Sequence, residues 1–125
     1  MTDPTQITGY HAHLYFSADE KPTAEAVRAE MKRRFPDATY GRWHDSPVGP
    51  HPRGSTQIAF GPDAFAEIAP WLALNRQGIT VFLHPETGQD LEDHRDRALW
   101  LGASETLDLS IFDTDADDAP PAGGG

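Results

Sequence analysis

A two-residue alternation near the N-terminus restricts the fold of this chain more than any other feature of its sequence. In residues 7–16 (ITGYHAHLYF), one set of alternate positions is apolar from Tyr10 to Phe16, and the other carries His11 and His13. Because successive side chains of a strand point to opposite faces, this pattern predicts a strand with an apolar face and a histidine face. The fold must therefore bury one face of a sheet and accommodate imidazoles on the other.

Strand and helix patterns continue along the rest of the chain. Shorter alternating segments predict four further strands, at residues 39–44, 55–60, 79–84 and 107–111. Apolar residues at helical spacing predict three helices: one from Pro22 to Pro36 with Thr23 as N-cap, one from Asp63 as N-cap to Gly78, and one at residues 90–100. The order β-α-β-β-α-β is that of the ferredoxin-like fold, an α+β antiparallel sheet with both helices on one face.

The strand order of that fold brings several histidines together. With the first strand between the third and the fourth, His11, His13 and His84 converge on the sheet face that the helices leave open. Tyr15 and Phe82 lie on the same face, and an exposed aromatic patch needs a cover. We therefore expect a homodimer, with the site in or beside its interface.

Length and composition indicate one folded domain. The chain has 125 residues, no cysteine and a formal charge of −10. We expect a flexible N-terminus at residues 1–6, a single domain at residues 7–112 and an acidic, Pro- and Gly-rich disordered tail at residues 113–125. The negative charge disfavours nucleic acid and anionic lipid as partners. Without a signal-peptide pattern or a long apolar run, we expect a cytoplasmic protein that does not enter a membrane.

The histidines are the candidates for chemistry. Since no thiolate is available, a transition-metal site in this chain must use His, Asp, Glu or water. A lone histidine is more often structural than a ligand. Three on one predicted face, with a fourth in a Pro-rich loop, favour a metal site instead. The predicted ligands are His11, His13, His84 and the loop residue His51, and the weaker candidates are His44 and His94.

Several motifs appear in a characteristic order across nearly the whole domain. They are H-x-H within GYHAHLYF (9–16), GPHP (49–52), LNR (74–76), HPETG (84–88), DHRDRALWLG (93–102) and the ending LDLSIF (107–112). In these segments the chain resembles the DOPA 4,5-dioxygenase family. The resemblance implies a ferredoxin-like fold and an extradiol dioxygenase, in which O2 opens a catechol ring at non-haem iron.

The resemblance also implies a cofactor, substrates and roles for residues. The cofactor would be Fe(II), replaced by Zn or Ni in a purified sample, and the substrates would be a small DOPA-like catechol and O2. The motif histidines are His11, His13, His51, His84 and His94, with His44 in a matching segment. We expect His11 or His94 to be the base that takes the catechol proton, and Arg53 to pair with the substrate's carboxylate if the substrate is an amino acid.

The complete ligand set stays open at this point. Non-haem Fe(II) oxygenases typically use two histidines and one carboxylate, but none of Glu86, Asp90 and Asp93 falls on the predicted histidine face of a strand. Either a loop acid folds in or the set is entirely histidine. Two other classes of protein also stay open. One is a metal-free monooxygenase or isomerase of the dimeric α/β-barrel kind, and the other is a non-enzymatic module that binds a small ligand or a metal.

Overall fold

A five-stranded antiparallel sheet forms the centre of the protein, seen in a computed structural model that describes residues 1–112. The strands are β1 (Gly9–Phe16), β2 (Thr39–His44), β3 (Gly54–Phe60), β4 (Thr80–Glu86) and β5 (Leu99–Leu101), and the helices are α1 (Lys21–Arg34), α2 (Phe65–Asn75) and α3 (Asp90–Arg95). The strand order is β2-β3-β1-β4-β5, with every neighbouring pair antiparallel. The predicted α+β class and the central position of β1 between β3 and β4 are confirmed. The predicted tail at residues 113–125 lies outside the described residues.

One face of the sheet packs against α1 and α2 and holds the hydrophobic core. Fully buried apolar side chains from both helices, such as Met31 and Leu72, contact those of the strands, such as Leu14 and Ile58. We call this side the helix face. The apolar positions of β1 all point to it, as the alternation predicts. No helix within residues 1–112 has the length and apolar character needed to cross a membrane.

Both predicted helix caps are wrong, for the same physical reason. A 3-10 turn precedes both α1 and α2 and begins the helical path earlier than a single cap residue would. Ser17 and Glu20 form a reciprocal capping box, so that α1 begins at Lys21 and Thr23 lies inside the helix. Asp63 likewise lies within the turn Pro62–Ala64, and α2 follows at Phe65.

The C-terminal third of the domain also differs from the prediction. The third helix ends at Arg95, and Trp100 belongs to β5, where it pairs with Phe82. The two rings stack with 4.7 Å between their centroids, and this contact outweighs the helical spacing of residues 90–100. The predicted strand at residues 107–111 is absent. Instead, the amide of Asp108 donates to the carbonyl of Pro50, so this segment lies along the loop between β2 and β3.

The second sheet face is not the open surface that the sequence predicts. We call it the histidine face, because His11, His13 and His84 lie on it. Tyr15 and Phe82 have no exposed surface there within the single chain. Their cover comes from the chain itself, through Trp100, the ring of His94 and the loop that carries His51. The exposed aromatic patch that motivated a homodimer therefore does not exist, and the homodimer stays a prediction.

Candidate metal centre

Two neighbouring central strands place three histidines together on the histidine face. His11 lies directly opposite His84 in the β1–β4 ladder, and His13 is two residues further along β1. One ring nitrogen from each of the three residues lies within 4.8 Å of the others. His84 is fully buried, His13 is 3% exposed, and His11 is half-buried. We call His11, His13 and His84 the histidine cluster.

The orientation of His84 is fixed by hydrogen bonds from one side of its ring. Its Nδ1 lies 3.1 Å from the carbonyl oxygen of Pro85 and 3.2 Å from Oε2 of Glu86. Both oxygens are acceptors, so Nδ1 carries a proton, and Nε2 is the ring nitrogen that can bind a metal ion. A partner of this kind commonly orients histidines that bind metals.

The spacing of the cluster fits a transition-metal ion. Nε2 of His84 lies 3.1 Å from Nε2 of His13. Two nitrogens that bind one ion at 2.0–2.1 Å are about 2.8–3.4 Å apart for angles between a right angle and the tetrahedral one. The same spacing also suits a hydrogen bond from His13 to His84, which an ion would replace. Burial is the main cause that holds the pKa of His13 well below its usual value, and repulsion from neighbouring imidazoles adds to it, so the neutral ring keeps one nitrogen lone pair for a metal.

Sequence reasoning missed that Glu86 lies on the histidine face. The predicted β4 ends at His84, but the strand continues through Pro85 to Glu86, whose carbonyl accepts from the amide of Thr8. The nitrogen of Pro85 points away from β1, toward the side of β4 on which β5 lies. β5 pairs with β4 only as far as Leu83, so no β5 residue lies opposite Pro85. A proline costs no ladder hydrogen bond at this position.

The carboxylate of Glu86 connects two members of the cluster. Its Oε2 lies 3.2 Å from Nδ1 of His84 and 3.7 Å from Nδ1 of His11. The hydrogen bond from His84 lowers the pKa of Glu86, which is therefore ionised at neutral pH. Burial lowers the pKa of His11, and Glu86 partly opposes that effect. Glu86 is the acidic residue that the sequence left unassigned near the histidines.

The other two acids near the cluster differ from each other. Asp93 is fully buried, and its carboxylate accepts hydrogen bonds from Thr87 and Arg97, so it closes the turn before α3. In Asp90, Oδ2 is buried and has no hydrogen-bond partner among residues 1–112. Burial, together with repulsion from Glu86, raises the pKa of Asp90. Neither acid belongs to the histidine cluster within the described residues.

His51 reaches the cluster from the loop between β2 and β3, and its hydrogen-bond partner is a tyrosine hydroxyl. Its ring centroid lies 4.2 Å from that of His13, and its Nδ1 lies 2.7 Å from the hydroxyl of Tyr15. It does not belong to the group of three whose nitrogens lie within reach of one ion. Burial is the main cause that lowers the pKa of His51 to about 4, so the ring is neutral at pH 7. Its predicted role as a ligand stays a prediction.

His94 and His44 lie on opposite sides of the cluster. The ring of His94 packs 4.0 Å from that of His84, with Phe112 4.5 Å away on another side. Its Nδ1 donates to the carbonyl of Asp90 at 2.8 Å, which leaves a lone pair on Nε2. Burial lowers the pKa of His94 to about 4. His44 is further out, beside His51, and is not part of the cluster.

Arg53 is engaged by carboxylates of the chain itself. Its Nε and Nη2 donate to both oxygens of Glu105, at 3.1 and 2.7 Å, and its Nη1 donates to Glu20 at 2.8 Å. These bonds tie the histidine-bearing loop to the C-terminal segment and to the turn before α1. The predicted role of Arg53, as the partner of a substrate carboxylate, gains no support from these contacts.

Two cavities open beside the cluster, the larger next to His11 and Glu86 and the smaller next to His13 and His51. The larger, of about 350 Å³, is lined by Thr8, Gly9, Tyr10, His11, Asp37, Thr39, Ala59, Phe60, Gly61 and Glu86. The smaller, of about 190 Å³, is lined by His13, His44, Val48, Gly49, Pro50, His51, Ser55 and Gln57. Among residues 1–112, no lysine or arginine lines either cavity, whereas the larger one has the carboxylates of Asp37 and Glu86. Small molecules can therefore approach the cluster from this side.

The fold and the site together define a small α+β protein with a buried histidine cluster that can hold a metal ion and that small molecules can reach. Comparison with known proteins then gives the family. The model of the Dopa 4,5-dioxygenase family matches residues 10–111, and the chain belongs to this family.

Similar proteins agree with that assignment. The chain is 32% identical to DOPA 4,5-dioxygenase of Amanita muscaria over 93% of its own length and 54% of the relative's. It is 33% identical to an uncharacterized 21.2 kDa protein of Botryotinia fuckeliana, over 82% of this chain and 62% of that one. The chain thus spans 54% to 62% of the length of these curated relatives. A crystal structure from Nostoc punctiforme, provisionally described as a dioxygenase, is 44% identical with a TM-score of 0.86, and the match covers 88% of this chain and 95% of that one.

Proposed function

We propose that this chain is a metal-dependent extradiol dioxygenase that opens the ring of a small, DOPA-like catechol with O2. The observation that carries the proposal is the buried cluster of His11, His13 and His84 beside a cavity of the size that suits a single-ring ligand. In the overall reaction, one carbon–carbon bond of the ring breaks next to a hydroxyl group. One oxygen atom of O2 ends in a new aldehyde and the other in a new carboxylate, so the catechol is oxidised and O2 is reduced.

The chain's own residues have distinct parts in this proposal. His11, His13 and His84 would hold the metal, and Glu86 would keep the ring of His84 in the tautomer that presents Nε2. Bound there, Fe(II) supplies positions for the catechol oxygens and for O2 and a path for electrons between them. His94 is a candidate base for the catechol proton, because its Nδ1 is occupied by Asp90 while its Nε2 has a lone pair. His11, at the edge of the larger cavity, is the other predicted base, but as a ligand it would have its lone pair bound to the metal, so His94 is the preferred base.

The charge around the larger cavity favours a catechol with an amine on its side chain. Asp37 has no hydrogen-bond or ion-pair partner among the described residues, and Glu86 is ionised. An ammonium group would be attracted there, whereas a carboxylate would meet like charge with no cation in the lining. We expect dopamine to have a lower KM than 3,4-dihydroxyphenylpropionate, which has the same ring but an anionic side chain. The D37N variant should reduce this difference in KM between the two catechols. The E25Q variant removes one charge at an exposed position on α1 and should leave the difference in KM unchanged.

The test of the proposal measures metal content and ring cleavage together. Protein loaded anaerobically with Fe(II) should bind about one ion per chain and give a yellow ring-cleavage product from DOPA or dopamine in the presence of O2. His13→Ala and His84→Ala should each lose both properties and keep the fold, because the core on the helix face is untouched. His44→Ala should retain both. Activity that persists without metal would favour a metal-free monooxygenase or isomerase instead, and catechol binding without turnover would favour a binding module.

A further inference from the structure

Tyr15, near the end of β1 on the histidine face, buries its hydroxyl group completely. No part of its side chain is exposed, and the one partner of its hydroxyl within residues 1–112 is Nδ1 of His51, at 2.7 Å. A buried hydroxyl that does not donate its proton loses free energy. Tyr15 therefore donates, and Nδ1 of His51 accepts.

This hydrogen bond fixes the tautomer of His51. A neutral imidazole carries one proton, and with Nδ1 as acceptor that proton lies on Nε2. His84 and His94 have the opposite tautomer, because a backbone carbonyl accepts from Nδ1 in each. Among these three neighbouring rings, His51 alone presents an N–H group from Nε2, while the others present a lone pair.

We propose that His51 is a hydrogen-bond donor to an oxygen of the substrate or of O2 bound at the histidine cluster, and not a metal ligand, and that Tyr15 is the residue that positions it. The inference rests on the proposed function. An Nε2–H group cannot bind a metal, but it can stabilise negative charge on an oxygen atom. His51 has the location for this role, since it lines the smaller cavity together with His13.

The loop that carries His51 is held firmly enough for such a role. In this loop, the carbonyl of Pro50 accepts a hydrogen bond from the amide of Asp108. The guanidinium of Arg53 donates hydrogen bonds to the carboxylates of Glu105 and Glu20. The amide of His51 itself donates to the carbonyl of Val48. A donor that is positioned before the substrate binds needs no reorganisation during the reaction.

Nuclear magnetic resonance of the metal-free protein tests the tautomer directly and independently of any activity. Two-bond nitrogen–proton correlations should show the Nε2–H tautomer for His51 and the Nδ1–H tautomer for His84 and His94. Tyr15→Phe should remove the preference of His51 for this tautomer. Tyr40→Phe, which removes a hydroxyl bonded to the Phe35 carbonyl on the helix face, should leave it unchanged. An Nδ1–H tautomer of His51 in the unaltered protein would overturn the proposal.

Variants of His51 then separate a donor from a ligand. His51→Ala should retain about one Fe(II) per chain and lower kcat/KM roughly ten- to a hundredfold, as expected for the loss of a hydrogen bond to a charged group. His51→Gln offers an amide N–H in place of Nε2–H and should recover part of that loss, and Tyr15→Phe should show an intermediate loss with full metal content. Loss of iron from folded His51→Ala would show that His51 is a ligand. If kcat/KM of His51→Gln is no higher than that of His51→Ala, the proposed donor role of His51 is wrong. Absence of turnover in the unaltered protein despite the expected tautomer would count against the proposed function and against the donor role that depends on it.

Discussion

Replacement of Glu86 tests how the protein prepares its histidine cluster for a metal. The carboxylate lies 3.2 Å from Nδ1 of His84 and 3.7 Å from Nδ1 of His11, and its side chain is 30% exposed. Glu86→Gln keeps the shape and one acceptor oxygen but removes the charge, whereas Glu86→Ala removes the acceptor as well. In both variants the carbonyl of Pro85 still accepts from His84.

The expected effects follow from these contacts. Removal of a group that orients a metal-binding histidine typically weakens affinity by about 10- to 100-fold. Because the Gln variant retains an acceptor and the site is partly exposed, we expect about tenfold for Glu86→Gln, which is about 1.4 kcal/mol. For Glu86→Ala we expect a loss closer to 100-fold, about 2.7 kcal/mol.

An anaerobic competition titration against a chromophoric chelator measures these affinities, with Co(II) or Zn(II) as well as Fe(II). Glu25→Gln is the matched control, because Glu25 is exposed on α1, on the helix face, and its replacement changes the net charge equally. Affinities of both Glu86 variants equal to that of the unaltered protein would refute the orienting role. A loss far beyond 100-fold would show that the carboxylate is itself a ligand.

Two further predictions concern stability. Leu72 is fully buried in α2, and Leu74 is 84% exposed in the same helix. In urea titrations, Leu72→Ala should lower the free energy of unfolding by about 2–5 kcal/mol, and Leu74→Ala by less than about 0.5 kcal/mol. Equal effects of the two substitutions would contradict the position of the core. For the metal-free protein, the pKa values of His51 and His94 lie at about 4 when folded against 6.5 when unfolded. The unfolded chain therefore binds more protons between these pH values, and the free energy of unfolding should fall as pH falls through this window, by up to about 1.4 kcal/mol per pH unit for each histidine. Unfolding free energies that are constant across the window would show that these rings are not buried as neutral groups.

The alternation in residues 7–16 was sufficient to predict the central strand and its two faces. Local sequence determines which side chains of one strand share a face, so His11 and His13 could be placed together without a structure. The β-α-β-β-α-β order then placed His84 on the neighbouring strand. The histidine cluster could thus be predicted because it depends on one strand pattern and one common strand order.

The missed features depend on contacts between distant segments. Pro85 is acceptable inside β4 only because β5 ends before reaching it, and Glu86 joins the site for that reason. Trp100 has a helical pattern around it but is held in β5 by its stacking on Phe82. The cover over the histidine face likewise depends on how residues after α3 fold back. A sequence pattern shows none of these pairings, so the open face and the dimer argument were inferred without them.

The fate of the two oxygen atoms of O2 tests the proposed function most directly. Fe(II)-loaded protein should be given dopamine or DOPA with isotopically labelled O2, and the product should be reduced at once to prevent exchange of its aldehyde oxygen with water. Mass spectrometry should then find two labelled oxygen atoms in each ring-opened product, one on each of the two carbon atoms of the cleaved carbon–carbon bond. A product with a single labelled oxygen would indicate a monooxygenase, and a quinone without label would indicate simple oxidation. Either result would contradict a ring-cleaving dioxygenase built on the histidine cluster.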